Sequence, residues 1–322
     1  MFDLRAFTQE KTPSAVSTRS MAALIMNITR LLIAALLCAS SLHAQQSAQP
    51  LKVVFWNVEW FPGGHPNATQ EEADAQIALV QPLLKALNPD IVGLEEVRDW
   101  SAGEIALAKL PDVKVQVASE FTGDDGEKTT QQLVIASRLP AVGAWWEPWQ
   151  AGKKITPKRG FSFAAFQPVP GQVLLVYCVH LKSNRGELKE NTAMREESVR
   201  QLLSHVAAME KAYAKFGRVS AIVGGDFNTS LDDKKFRGEE TLGLMEKAGF
   251  QSAWKNVPFD QRVTLPSTPS KNPNFPPWPD ACFDYAFVKG AKIVSATVDK
   301  TEPPPSDHRP VVVEIILPSA TP

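Results

Sequence analysis

Residues 219–228, with the sequence VSAIVGGDFN, constrain the fold of this chain more than any other stretch. An apolar run ends at two glycines, which is typical of a short buried strand that stops at a tight turn. Asp226 and Asn228 follow two residues apart, so both side chains lie on one face of the extended chain. Ligands of open α/β sheets bind at the carboxyl ends of strands. The stretch therefore marks a candidate site, although Gly-Gly-Asp by itself is also common in ordinary turns.

Polar side chains stand at the ends of four further apolar runs. The first three follow their run, and the fourth precedes the run 311–316: Trp56-Asn57, Glu95-Glu96, His180 and Ser306-Asp307-His308. So many polar strand ends indicate one shared site at the edge of a sheet. The oxygen donors suit Mg²⁺, Mn²⁺ or Ca²⁺ better than zinc, and histidine can move protons near neutral pH. On this basis alone, both histidines could equally be satisfied core residues.

Two strand–helix–strand units organise the halves of the chain. The first has a strand at 52–56, a helix after Thr69 and a strand at 91–94; the second has a strand at 173–181, a helix at 192–215 and a strand at 219–223. Such units are typical of a sheet that is covered by helices. The apolar stripe of the second helix includes one charged residue, Arg195. Shorter apolar segments lie close enough to form hairpins, which makes the sheets mixed: 113–117, 133–136, 161–166, 282–288, 292–298 and 311–316.

The first 44 residues are predicted to be an N-terminal extension and a signal peptide. Arg30 precedes an apolar run at 31–39, and small residues continue to Ala44, which is the pattern of a secretory signal with its cleavage site. The run is too short to span a bilayer comfortably, so no stable membrane span is expected after cleavage. We expect one mature domain over residues 45–322, either periplasmic or secreted.

The mature domain would keep two cysteines, Cys178 and Cys282. Export would place them in an oxidising compartment, where they could form a disulfide; two buried free thiols are the alternative.

The chain of 322 residues has a formal net charge of −1, which excludes an obviously basic nucleic-acid-binding module. A local basic rim on a neutral protein can still bind an anionic substrate.

Two segments between the predicted strands are interpreted as loops. One carries an aromatic cluster, for which we favour packing on a satellite core over a role at a substrate rim: Trp145, Trp146 and Trp149. The other carries four basic residues, which we expect to be solvated at the surface: Lys153, Lys154, Lys158 and Arg159.

Six motifs, taken together and in order, resemble those of the endonuclease/exonuclease/phosphatase superfamily and of its secreted bacterial members: Trp56-Asn57, Leu94-Glu95-Glu96, His180, Gly225-Asp226-Phe227-Asn228, Asp284-Tyr285 and Ser306-Asp307-His308. The resemblance covers about residues 51–317. It implies the α/β fold of pancreatic-type deoxyribonuclease, a four-layered α/β sandwich with two packed mixed sheets flanked by helices.

The same resemblance implies a metal site. Asn57 and Glu96 would hold Mg²⁺, or Mn²⁺ or Ca²⁺, with Asp307 nearby. Glu95 precedes the motif glutamate and should point to the opposite face of its strand, and Glu59 should be peripheral.

Five residues take catalytic roles if the resemblance holds. Asp226 and Asn228 would position the attacking water and the phosphate. Asp284 would orient His308, the candidate general base, and His180 would stabilise the phosphorane or assist the leaving group. Whether Asp226 or His308 takes the proton stays open.

The expected activity is that of a divalent-metal-dependent phosphodiesterase, most simply an exported, monomeric nuclease. Residues 96–99 are similar to the stretch of pancreatic-type deoxyribonuclease that enters the minor groove, which makes Arg98 a substrate contact, with a surface pair to Asp99 or Glu95 as its alternative. Residues 180–183 are similar to a run in secreted bacterial nucleases. A sphingomyelinase-like enzyme for lipid or sugar phosphates is the alternative, in which the tryptophan cluster would dock on a membrane. A non-catalytic binding domain is disfavoured because every motif position is filled.

Overall fold

The computed structural model describes residues 49–123, 126–152, 155–267 and 279–319. In this part of the chain the strands are β1 (Leu51–Phe61), β2 (Ile91–Val97), β3 (Lys114–Ala118), β4 (Gln132–Ser137), β5 (Ala141–Pro148), β6 (Gly160–Phe166), β7 (Gly171–His180), β8 (Gly217–Asp226), β9 (Gln251–Ser252), β10 (Asp284–Lys289), β11 (Lys292–Val298) and β12 (Val311–Ile316). The helices are α1 (Gln70–Leu87), α2 (Trp100–Ala106), α3 (Leu188–Tyr213) and α4 (Thr241–Lys247).

The strands form two six-stranded mixed sheets, which confirms the predicted sandwich. One sheet has the order β11-β12-β1-β2-β4-β3 and the other the order β5-β6-β7-β8-β10-β9. Each contains one parallel pair, β1 with β2 and β7 with β8, joined by α1 and α3 because parallel neighbours need a long crossover. One apolar core lies between the sheets and beneath α3 and α4, and a second lies between the first sheet and α1 and α2.

Sequence signals locate both ends of α1. The side chain of Thr69 accepts a hydrogen bond from the backbone of Glu72, whose carboxylate accepts one from Thr69 in return, so a capping box starts the helix. Asn88 ends it with φ of 49°, in the left-handed conformation that asparagine adopts more readily than most residues.

The aromatic cluster lies on a strand, so the loop prediction for residues 145–149 is wrong. Trp145 and Trp146 belong to β5, which pairs with β6, and Trp149 follows at its end. Trp149 is buried, and the Trp145 ring centroid lies 4.4 Å from that of Phe163. The three tryptophans therefore pack on the larger core, which lies between the sheets and beneath α3 and α4, rather than on a satellite core.

A close approach of the two sheets shapes one edge of the sandwich. Phe55 packs against Gly93 of its own sheet and Gly224 of the other; a Cβ on Gly224 would clash with the ring, and one on Gly93 would lie 2.7 Å from the ring Cδ1. Neither position has room for a side chain unless the ring or a sheet moves. The approach brings the carboxyl ends of β2 and β8 together, where Asp226 N donates to Glu95 Oε2 at 2.6 Å.

The predicted signal peptide and extension, residues 1–44, lie outside the described residues, and the domain boundary at 45 stays a prediction. Among the helices that the structure describes, none is both long and apolar enough to cross a bilayer. Cys178 and Cys282 are free, buried thiols, so the structure has the second of the two predicted cysteine states.

Candidate active site

Strand register brings three of the predicted catalytic residues side by side. His180 at the end of β7 is paired with Asp226 at the end of β8, and Asp226 is paired with Asp284 at the start of β10. His180 Nε2 lies 3.5 Å from Asp226 Oδ2. All three residues are buried, with at most 3% of their surface exposed.

Asn228 is locked to Asp226 by two hydrogen bonds. Its backbone N–H donates to Asp226 Oδ1 and its Nδ2 donates to Asp226 Oδ2, both at 2.7 Å. Its φ of 53° is left-handed, a conformation that asparagine tolerates better than most residues. Nδ2 also donates to the Leu181 carbonyl, 3.2 Å away, so Asn228 joins the loop after β7 to the end of β8.

Asn57 and Glu96 meet at the ends of β1 and β2. Asn57 Nδ2 donates to Glu96 Oε1 at 3.2 Å, and the backbone N–H of Trp60 donates to Oε2 at 3.2 Å. Glu96 Oε1 lies 3.8 Å from His180 Nε2, so the predicted metal ligands and the predicted catalytic residues share one cleft.

Glu95 also belongs to this site, and the prediction that it points away is wrong. The pairing of β2 is irregular between Leu94 and Val97, and Glu96 has φ of 58°, so Glu96 breaks the simple alternation of the strand. Glu95 is fully buried; Oε2 accepts from Asp226 N and Oε1 has no partner. Burial, reinforced by Asp284 and Asp226, raises the pKa of Glu95 well above its usual value.

His308 and Asp284 form a pair, as predicted. His308 Nδ1 lies 2.8 Å from Asp284 Oδ2, and Asp284 Oδ1 has no partner. The backbone on either side is fixed, because Trp56 Nε1 donates to the His308 carbonyl at 2.9 Å and His308 N donates to Ser306 Oγ at 3.1 Å.

The two histidines have opposite electrostatic environments. Burial, together with Arg159 and His308, lowers the pKa of His180 well below its usual value. Burial also disfavours the charged form of His308, but Asp284 outweighs it and raises the pKa of His308 well above its usual value. Burial raises the pKa of Asp226 to about 7, against the opposing charge of His308.

Asp307 and Glu59 lie at the outer side of the cleft. Asp307 is exposed, and its backbone N–H donates to Glu59 Oε2 at 3.0 Å. Glu59 is not peripheral as expected: burial first, then the charges of Asp307 and Glu96, raise its pKa to about 7. Glu59 lies two residues past Asn57, a spacing that could have placed it near the site.

A family comparison agrees with this geometry. Residues 54–308 match the model of the Endonuclease/Exonuclease/phosphatase family. The chain belongs to this family. Members of the endonuclease/exonuclease/phosphatase family are generally hydrolytic phosphoesterases and typically use divalent metals. No curated protein sequence matches the chain.

Solved structures of this fold resemble the chain at low sequence identity. An endonuclease/exonuclease/phosphatase from Beutenbergia cavernae has a TM-score of 0.62 and 21% identity, over 84% of this chain and 72% of that one. The human Nocturnin catalytic domain with bound sulfate has a TM-score of 0.59 and 18% identity, over 83% and 94%. D. rerio TDP2 with a single-strand DNA product has a TM-score of 0.58 and 17% identity, over 83% and 98%. At these identities the likeness is one of fold.

Two arginines, the buried Arg195 and the half-buried Arg159, bind three successive backbone carbonyls beside the site. Arg159 donates to the His180 and Leu181 carbonyls at 3.1 and 2.7 Å, and Arg195 donates to the Lys182 carbonyl at 3.0 Å. The expectation of a solvated Arg159 is therefore wrong; Lys153 and Lys154 lie outside the described residues. Arg195 could have been found from the sequence, because a charged residue in an apolar helix stripe needs a buried partner.

Arg98, the predicted substrate contact, lies apart from the buried cluster. Its side chain is 49% exposed, and Nε donates to Asp99 Oδ2 at 3.1 Å, which is the surface pair that the sequence left open. It lines a cavity of about 70 Å³ with Trp100 and Lys128. Contact with substrate stays a prediction.

The donor set fits a hard divalent cation such as Mg²⁺, which family members typically use. Carboxylates crowd the cleft, Glu95 Oε1 and Asp284 Oδ1 have no partner, and burial among like charges raises several of the carboxyl pKa values. Added positive charge would relieve that repulsion. In the described ranges, no three His, Cys, Asp or Glu side chains are arranged to hold a metal by themselves. Mg²⁺ binds through one or two carboxylates and keeps several waters, which suits Glu96, with Asn57 as an amide ligand.

Proposed function

We propose that this protein is an exported, divalent-metal-dependent phosphodiesterase that cleaves nucleic acid. The observation that carries the proposal is the buried constellation at the meeting point of the two sheets. It combines the His308–Asp284 pair, the Asp226–Asn228 pair and His180 with the oxygen donors of Glu96 and Asn57. Such a set supplies what water needs in order to attack a phosphodiester: a proton acceptor, donors for the phosphoryl oxygens and a cation site.

In the proposed reaction, water adds to phosphorus, one P–O ester bond breaks, and the products are a phosphomonoester and an alcohol. A bound divalent cation would supply Lewis-acid stabilisation of the phosphoryl oxygens. Asp284 holds His308 through Nδ1, so Nε2 is the nitrogen left to exchange a proton with water or substrate. Asp226 is the second candidate to take the proton of the attacking water, and Asn228 presents its amide beside it.

His180 acts on the leaving side of the reaction in this proposal. It is buried, it lies between Asp226 and Glu96, and its Nδ1 has no protein partner. Its low pKa favours the neutral imidazole, which can donate a hydrogen bond to a phosphoryl or leaving-group oxygen. Arg159 and Asn228 hold the backbone around it.

Nucleic acid is the preferred substrate class. Among proteins of this fold, the TDP2 structure contains a single-strand DNA product. The lipid-phosphate alternative loses its main support, because Trp149 is buried and Trp145 and Trp146 pack against the core instead of forming an exposed membrane-docking loop. Export rests on the signal-peptide pattern of residues 1–44.

The test is an activity panel on the purified protein with Mg²⁺ or Mn²⁺: plasmid DNA, RNA, sphingomyelin vesicles and bis(4-nitrophenyl) phosphate. We expect cleavage of nucleic acid and of the small diester, loss of both in excess EDTA, and recovery on adding back Mg²⁺. Glu96→Gln should lower activity by orders of magnitude and leave the circular dichroism spectrum intact. Glu104→Gln, at an exposed position of α2, is the matched control. Full activity in EDTA, or hydrolysis of sphingomyelin alone, would refute the proposal.

A further inference from the structure

A cavity opens directly beyond Asn228, along the loop that connects β8 to α4. Its volume is about 340 Å³. Thr229 and Ser230, the two residues that follow Asn228, are buried and form part of its wall, and Lys234 and Arg237 also line it. The cavity is therefore continuous in sequence with the catalytic cluster, yet none of the roles assigned above involves it.

The carboxylates around this cavity are occupied by other groups. Asp232 accepts hydrogen bonds from both terminal nitrogens of Arg262, at 2.7 and 2.8 Å. Glu239 accepts hydrogen bonds from Nε and Nη2 of Arg195, at 2.8 and 2.6 Å. The third, Asp233, caps the short 3-10 turn that follows it. The charges of Asp232 and Glu239 are therefore compensated by arginines, whereas Asp233 is exposed and uses one carboxylate oxygen to accept the Lys235 N–H.

The two cations that line the cavity have no such engagement. Lys234 and Arg237 are exposed, and in the part of the chain that the structure describes neither side chain binds a carboxylate. Lys235, between them, lies instead over the Phe236 ring, 5.3 Å from its centroid. The cavity thus has two uncommitted positive charges next to an active site that is crowded with carboxylates.

The neighbouring loop after β7 extends the positive region. Asn184 Nδ2 donates to the Asn228 carbonyl at 2.9 Å, so this loop borders the start of the cavity wall. Lys182 lies in the same loop, and burial, together with the positive charges of Arg159, Arg195 and others, lowers its pKa. An anion that reaches the catalytic cluster from this side meets Lys182 on one loop and Lys234 and Arg237 on the other.

We infer that this cavity is a subsite for a backbone phosphate of a nucleic-acid strand that extends past the scissile bond, with Lys234 and Arg237 as its contacts. The inference rests on the proposed function and adds to it the side from which the polymer is held. Guanidinium binds phosphate through paired hydrogen bonds and lysine binds it as a point charge, so the two residues form a suitable phosphate pair. A small diester reaches the catalytic cluster only and has no phosphate to place there.

The test compares Lys234→Gln/Arg237→Gln with Lys211→Gln/Arg218→Gln, which removes the same charge from the last turn of α3 and the far end of β8. The substrates are a single-stranded oligonucleotide and bis(4-nitrophenyl) phosphate. For two lost phosphate contacts, the slope of log kcat/KM against log salt should fall by about 1.4, equivalent to roughly 25-fold in kcat/KM at 0.1 M salt. Turnover of the small diester should match the unsubstituted protein, and the control pair should change neither substrate.

Each other outcome counts against the inference. An unchanged salt slope would show that the cavity binds no phosphate. Equal losses on both substrates would assign the loop a structural role. If the unsubstituted protein cleaves neither the oligonucleotide nor the small diester, the proposed function fails first, and that result is distinct from a failure of the subsite.

Discussion

At the scale of single residues, the candidate site is built from pairs. Asp284 binds Nδ1 of His308 and leaves Nε2 for the proposed chemistry. Asp226 and Asn228 form a second pair, with the amide fixed on the carboxylate by two 2.7 Å hydrogen bonds. A member of such a pair has no independent share of the rate, because its partner depends on it for orientation.

Removing His308 should therefore make Asp284 nearly irrelevant to turnover. We expect His308→Ala to lower kcat by about 10²–10⁴-fold, the usual range for general acid–base catalysis. Adding Asp284→Asn to that variant should cost little more, whereas Asp284→Asn alone should cost much of the same loss. The measurement is kcat for the four proteins of the cycle on one diester. Losses that multiply would show that the two residues act separately.

Glu95 should act through the backbone of Asp226. Glu95→Gln keeps an oxygen that can accept from Asp226 N, whereas Glu95→Leu leaves that buried N–H without an acceptor. An unsatisfied buried donor costs about 1–3 kcal/mol. The free energy of unfolding in urea should therefore fall by that amount for the leucine variant and by less for the glutamine variant, with a larger loss of kcat for leucine. Equal behaviour of the two variants would contradict a positioning role.

Some residues of this site could be predicted from the sequence, and others could not. Asn57, Glu96, His180 and Asp226 could be found because each ends or follows an apolar run, and strand ends gather at one edge of a sheet. Glu95 could not, because strict alternation assigns it to the far face, and the left-handed φ of 58° at Glu96 has no sequence signature.

At the scale of elements, α3 does more than cover the sheet. Its Arg195 binds the Lys182 carbonyl and Asn184 Oδ1 in the loop after β7, and Glu239 in the loop after β8. The loops that follow His180 at the end of β7 and Asp226 at the end of β8 are thus tied to one helix.

β5 was predicted to be a loop although tryptophan is common in strands. The sequence around Trp145 and Trp146 does not show which strand they pair with, and the structure shows that β5 forms by pairing with β6.

Breaking the Arg195–Glu239 pair should destabilise the protein strongly. Their side chains are only 0% and 3% exposed. Arg195→Met leaves a buried carboxylate without its partner, which costs about 3–5 kcal/mol, whereas replacing both partners by apolar residues of similar size is often nearly neutral. We expect Arg195→Met/Glu239→Met to recover most of the stability in chemical denaturation. If the double variant is as unstable as the sum of the single ones, the ion pair does not account for the loss.

At the scale of the whole molecule, the two halves repeat one plan: a parallel strand pair with its crossover helix, extended by antiparallel strands. The site lies where the halves meet, with Glu96 and Asn57 from one sheet and His180, Asp226 and Asp284 from the other. The sequence predicted this plan well, because the periodicity of apolar residues and the spacing of strand, helix and strand identify each crossover locally. It could not predict the contact between the sheets, which depends on Phe55 fitting against Gly93 and Gly224.

The two thiols offer a probe of that contact between the sheets. Cys178 lies between them, since a Cβ on Gly93 would come within 3.1 Å of its Sγ, and Cys282 is equally buried. Burial raises the pKa of Cys178 well above its usual value and that of Cys282 to about 12, so little reactive thiolate is present in the folded protein.

We therefore expect a maleimide to label neither thiol in the native protein, and both in denaturant without a reductant. The count refers to residues 45–322, which exclude Cys38 of the predicted signal peptide. Mass spectrometry before and after reduction gives the number of labels directly. If labels bind only after reduction, the purified protein contains a disulfide, and the free thiols of the structure do not describe that state. If they are free, Cys178 can be labelled only when the sheets part. Labelling during a prolonged native incubation should therefore be faster in Arg195→Met, with the logarithm of the rate rising in proportion to the stability lost.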